Sequence, residues 1–364
     1  MRKKILSLAI ALPTCLLLAA LIYFLPPVHE RLAWRVDEQV LRVRYWLNPP
    51  EEMVFVPQEQ DITPPTAQAL APSLTPTATP TLSPTLPGPT ETPIPSPSPT
   101  ITPTALPGQI SISGVRYEDQ HGRWNYCAPA NLSMALSFWG WDGNRDTVGP
   151  FLKPDGKDKN VMPYEMVDYI EGQTDLKVAL RMGGDLDLLK RFLAAGYPVL
   201  IEKGTYLTDI SGVKSWMGHY EVITGYDETE GIFIGQDSYV GADQRVPQDD
   251  LLIGWRAFNY TYLIVYSPDK EAEVMALLGP DADPTENFRR AAQKASDEIF
   301  GLTEIDQFFA WFNRGTSLVQ LQDYAGGAQA YDEAFAVYPS IEERVRPWRM
   351  MWYQTGPYFA YFYT

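Results

Sequence analysis

Residues 57–107 hold 15 of the 32 prolines in the chain, with no aromatic residue, lysine or arginine among them. A stretch of this composition cannot bury enough apolar surface to offset the entropy of ordering it. Proline keeps such a segment extended, at about 3.1 Å per residue, so its reach is on the order of 100–150 Å. It reads as a stalk that separates a short N-terminal piece from a globular body within the 364-residue chain.

The N-terminal piece opens Met1-Arg2-Lys3-Lys4, and an apolar run follows over 5–25. Spanning a bilayer takes about 20 apolar residues. A secretory signal core is shorter, at about 7–15 residues, and ends in a small-residue cleavage site that is not seen here. Residues 1–27 therefore read as a cytoplasmic start and an uncleaved, single-pass transmembrane anchor in the cell membrane. The basic start stays inside, so the body is expected on the extracytoplasmic side. Cys15 lies within the run and reads as a membrane-buried thiol. In the juxtamembrane segment 28–56, Leu32, Val36, Val40, Val43 and Leu47 fall at helical spacing. They fit either an interfacial amphipathic helix or an extension of the anchor.

Charge narrows the range of partners. Forty-five acidic residues against 29 basic ones give a net charge of −16. Nucleic acid is excluded as a partner, because phosphate binding needs a basic face. Two cysteines and three histidines, widely spaced, are too few for a Cys/His zinc site. No metal and no cofactor is expected.

Between 108 and 268 the composition is that of a globular domain. Residues 128–139 read as a helix, with Pro129 in its first turn and Gly140 as terminator. Helices are also expected over 163–170 and 186–194, and strands over 197–201, 220–226, 231–234 and 260–266. The acidic turn 227–230 marks a hairpin. Helices first and strands later imply an α+β fold and not alternating βαβ units. From 269 to 364 the pattern is helical. Trp311, Gly315, Leu318, Tyr324, Tyr331, Ala334 and Pro339 fall at tetratricopeptide offsets, with Gly327 as the small residue at the helix crossing. Flanking helices near 285–301 and 345–362 would complete the stack. Residues 348–363 read as the first helix of a repeat without its second. Such a segment offers a surface for a protein partner or packs on the body.

Cys127 has no second cysteine outside the apolar run to pair with, and it lies where a predicted helix begins. There the helix dipole favours a thiolate. A buried structural thiol is the plainer alternative. Catalysis by a thiol needs a base within reach, and that base needs an acceptor to fix its tautomer. His219, just ahead of a predicted strand, and Asp237, at the end of the next, supply such a pair across a hairpin. Asp227 competes as orienter from the hairpin tip, and His121 competes as base from a loop without a rigid strand. Gln120 is a candidate oxyanion donor through its side-chain amide.

Trp124-Asn125-Tyr126-Cys127-Ala128-Pro129-Ala130-Asn131, Gly218-His219-Tyr220 and Asp237-Ser238-Tyr239 together resemble the C39-like peptidases, the double-glycine leader peptidase group of the papain-like superfamily. The resemblance covers roughly 110–267. It implies a papain-like fold, in which a helix bearing the Cys packs on an antiparallel sheet bearing the His and Asp. It also implies Cys127 as nucleophile, His219 as base, Asp237 as third member and Gln120 as oxyanion donor, acting on a peptide or protein substrate. The family usually has Cys-Gly-Pro where this chain has Cys127-Ala128-Pro129. That departure motivates one alternative, an inactive papain-like scaffold whose helical segment binds proteins. A cell-wall amidase or acyltransferase using the same three residues is the other alternative.

Overall fold

Strand β4 (Lys214–Asp227), fourteen residues long, carries His219 and is the spine of the body. The computed structural model describes residues 106–364 apart from 124, 156, 157, 159 and 209–213, with scattered positions between 21 and 47. Most of the expected anchor and juxtamembrane segment, and nearly all of the stalk, lie outside the described residues. Among the described residues no helix is long and apolar enough to cross a membrane.

Seven strands form one antiparallel sheet. They are β1 (Gln109–Ser111), β2 (Lys177–Arg181), β3 (Val199–Thr208), β4, β5 (Ile232–Asp237), β6 (Gly241–Pro247) and β7 (Tyr262–Tyr266). The order is β2-β7-β3-β4-β5-β6. β3 pairs with β4 from Thr208↔Lys214 to Val199↔Ile223, and β1 takes over the same edge of β4 from Ser111↔Gly225 to Gln109↔Asp227. Helix and antiparallel sheet are mixed as an α+β fold requires.

Side chains alternate across a strand, so the apolar residues divide between two faces. Leu200, Tyr220, Val222, Leu263 and Val265 pack with helices α1 (Cys127–Ser137), α2 (Arg145–Leu152) and α3 (Pro163–Gln173). Val199, Ile201, Ile223, Tyr262 and Ile264 pack with α4 (Leu186–Ala194), α5 (Gln248–Arg256) and α6 (Glu271–Leu278). α1 begins at Cys127 and ends at Ser137, one residue earlier and two residues short of the sequence expectation. β3 runs well past the expected Ile201.

Three long helices follow, α7 (Pro284–Ile299), α8 (Glu304–Gln320) and α9 (Tyr324–Val337). α8 and α9 approach closely at Gly315, where an added Cβ would lie 2.7 Å from the Tyr331 ring. The expected single helix over 348–363 is instead two short ones, α10 (Met350–Tyr353) and α11 (Gly356–Phe362). Pro357 is the second residue of the latter. It suits a first helical turn and prevents continuation from the turn before.

These helices and the sheet share a core. Trp216 of β4 stacks on Phe258 with ring centroids 5.7 Å apart, and meets Phe309 and Tyr353 edge-on or tilted. Phe308, Phe312, Tyr331 and Phe335 complete that cluster. Trp216 is 2% exposed. Truncating a buried aromatic of this size costs about 3–5 kcal/mol. Trp216→Ala is therefore expected to lower unfolding stability by that amount in urea denaturation, with sheet and C-terminal helices losing structure together.

Candidate active site

Cys127 is the first residue of α1, directly after a turn in which Asn125 holds φ at +47°. That turn is braced by Lys153, whose ammonium donates to the carbonyls of Asn125 at 3.0 Å and Asp158 at 2.8 Å. One turn into the helix, Asn131 donates to the Cys127 carbonyl at 2.9 Å and to Ser238 Oγ at 2.8 Å. Ser238 in turn donates its hydroxyl to Gln120 Oε1 at 2.8 Å, and the Gln120 backbone N–H donates to the Ser238 carbonyl at 2.9 Å. Three segments distant in sequence are thereby tied around the thiol. With Gln120 Oε1 held by Ser238, the amide nitrogen of that side chain faces the opposite way.

His219 and Asp237 meet because β4 and β5 form the expected hairpin. Asp227 caps its turn by accepting from the N–H groups of Thr229 and Glu230. Asp227 therefore serves the turn, and Asp237 is the carboxylate at the imidazole. His219 Nε2 lies 2.8 Å from Asp237 Oδ1, with both residues buried. The same oxygen accepts the backbone N–H groups of Tyr239 at 2.8 Å and Val240 at 3.0 Å, which fixes the carboxylate. The His219 imidazole and the Tyr220 backbone N–H both act on the Cys127 thiol. With Nε2 engaged by Asp237, Nδ1 is the imidazole nitrogen left for the sulfur. His121 is exposed, bonds Asp119 at 2.8 Å and lies against the Tyr239 ring.

The electrostatics favour an ion pair. Burial alone would push the Cys127 thiol up. The hydrogen bond and charge of His219 outweigh it, with help from the Tyr220 N–H and the Lys153 cation, and the net shift is downward. Burial would lower His219, but Asp237 and then Cys127 raise it to about 10. Asp237, opposed by burial, is driven well below the usual carboxylate range by His219 and Lys203. A thiolate at a helix N-terminus facing an imidazolium can attack an electrophilic carbonyl carbon and return a proton to a leaving amine.

Further charged side chains stand behind these. Lys203 pairs with Glu221 and reaches Asp237 Oδ2 at 3.5 Å. Glu221 is fully buried and Glu202 is 3% exposed. The sequence reading passed over Lys153, Lys203, Glu221 and Glu202. The signal available was an ionisable residue inside an apolar strand, at Glu221 between Tyr220 and Val222 and at Glu202-Lys203 after Ile201. A charge placed there is costly unless it has a partner.

Residues 112–263 match the family model described as Peptidase_C39 like family. This match supports a cysteine-peptidase-like domain over that stretch, which is under half of the chain. No curated protein matches. Among solved structures, a putative C39-like peptidase from Bacillus anthracis is 17% identical, over 43% of this chain and 96% of its own, with a TM-score of 0.36. Xylellain, a cysteine protease from Xylella fastidiosa, is 14% identical over 45% of this chain and 87% of its own, with a TM-score of 0.35.

The buried pair predicts a pH signature. His219 sits above its unfolded value of about 6.5, so its contribution to stability is complete below that pH and is lost as pH rises through about 10. Asp237 is depressed, so its contribution is complete above its unfolded value of about 3.9 and is lost on acidification through the folded value. Both are whole only between about pH 4 and 6.5. Asp237→Asn is expected to lag wild type most in that window and to close the gap as pH approaches 10, measured by thermal melts across the range.

Proposed function

We propose that the body is a thiol peptidase in which Cys127 is the nucleophile, His219 the proton carrier and Asp237 the group that orients and charges His219. The observation that carries this reading is one buried imidazole bonded to a fixed carboxylate at 2.8 Å and acting on the only cysteine of the body so as to lower its thiol. In the first step the Cys127 thiolate adds to a peptide carbonyl carbon. The C–N bond breaks, the leaving nitrogen takes the proton from His219, and a thioester remains. In the second step water gives a proton to His219 and its oxygen to the thioester carbon, and the thiolate leaves. The Gln120 side-chain amide, held through its oxygen by Ser238, is the candidate donor to the oxyanion.

Ala128 does not argue for an inactive scaffold. It lies within α1, buried, at a backbone conformation outside the left-handed region where glycine would be needed. The apolar run over 5–25 and the proline-rich stretch support a body tethered outside the cytoplasmic membrane face, acting on peptides or proteins there. The paired helices α8 and α9 support a tetratricopeptide-like reading of the C-terminal segment.

An iodoacetamide-type probe at pH 6–7 is expected to label Cys127 faster than free cysteine, with labelling slowed in Asp237→Asn. Cleavage of casein-like peptides is expected to fall by about a thousandfold or more in Cys127→Ala. Unlabelled Cys127 in folded protein, together with undiminished cleavage by the variant, would overturn the reading. Deleting residues 1–27 is expected to move the protein from the membrane pellet to the supernatant on ultracentrifugation.

A further inference from the structure

A cavity of about 310 Å³ takes its walls from both the sheet and the C-terminal helices. Tyr164 and Phe359, each more than half exposed, and Glu202, 3% exposed, all line it. Two neighbours join it to the strand bearing His219. Glu202 is the cross-strand partner of Tyr220, the residue after His219. Tyr353, also on the wall, packs so close to Gly218, the residue before His219, that an added Cβ there would lie 3.1 Å from its ring.

The chemistry of the cavity is asymmetric. Leu180, Met182 and Val319 give it apolar sides, and Glu202 is its only carboxylate among the described residues. Among the described residues no cation pairs with Glu202, and burial holds its carboxyl well above the ordinary range. The Tyr220 hydroxyl donates to the Val161 carbonyl at 2.8 Å, so its one proton is committed there and the Glu202 oxygens stand as acceptors. Arg181, the one cation on the described wall, already donates to the carbonyls of Leu180, Asp281 and Ala282. The occupant that matches is a long apolar stem ending in a hydrogen-bond donor. A cationic end gains most, because it lets the buried carboxyl ionise against a partner. The net charge of −16 attracts such substrates to the surface.

We propose that this cavity receives a lysine or arginine side chain of the peptide substrate, with Glu202 accepting its cationic head. The specificity deepens the peptidase reading and rests on it. It makes the C-terminal helices part of the substrate site.

The test uses the full chain and matched peptides carrying lysine, arginine or norleucine at single positions. At one position near the cut, wild type is expected to favour lysine or arginine over norleucine by about tenfold or more in kcat/KM. In Glu202→Gln that ratio is expected to collapse toward one. Equal rates for lysine and norleucine peptides at every position in wild type would overturn the pocket while leaving the peptidase reading intact. Binding of the same peptides to Cys127→Ala, by calorimetry, separates the opposite case. Tighter binding of the basic peptide, abolished by adding Glu202→Gln, with no cleavage by wild type, would sustain the pocket and sink the peptidase reading. Equal binding of basic and norleucine peptides would count against the pocket without reference to turnover.

Discussion

A charged imidazole cannot be sealed from water without a fixed countercharge. His219 is 1% exposed, so the position and ionisation of Asp237 govern everything around the thiol. The arrangement extends one step in each direction. Glu221, Lys203, Asp237, His219 and Cys127 alternate in sign through the buried edge of β3, β4 and β5. Each member is stabilised by its neighbours, and removing one strands another without a partner. The sheet supplies the spacing, since Lys203 and His219 are cross-strand partners. A slip of one residue in that register would send every one of these side chains to the opposite face.

The three candidate site residues could be picked out in the sequence because each sits at a boundary that local chemistry marks. Cys127 opens a helix signalled by Pro129, His219 lies beside an apolar strand, and Asp237 ends the next strand across an acidic turn. Their contact depends on a hairpin, a short-range feature that strand pattern and turn residues specify together. The supporting charges were not legible. Lys203 and Glu221 lie in strands whose alternation assigns polar residues to a solvated face, and only the fold shows that α5 and the sheet enclose them. Lys153 follows a helix with few apolar residues, and β6 has no apolar alternation at all because it is an exposed edge. Gln120 was singled out by its amide chemistry and again by resemblance, and the bond to Ser238 that orients it is visible only in three dimensions.

The sequence left open whether the helical segment after β7 packs on the body; its aromatic residues share a core with Trp216 and Phe258. Small residues decide how near the two parts come. At Gly218 an added Cβ would stand 2.7 Å from Phe258 and 3.1 Å from Tyr353. Arg349 reinforces the contact by donating to Ser215 Oγ and the Trp216 carbonyl. Strand β4 is thus gripped from outside just before it presents its imidazole.

That grip has a consequence in time. A ribosome delivers Cys127, His219 and Asp237 well before Arg349 and Tyr353. Until those later residues emerge, the strand bearing His219 lacks its outer support, and Trp216 has no aromatic cover from the helices. The nascent chain therefore carries Cys127 for a time beside a strand still without its outer support, and the surroundings of His219 are complete only after the far helices have docked.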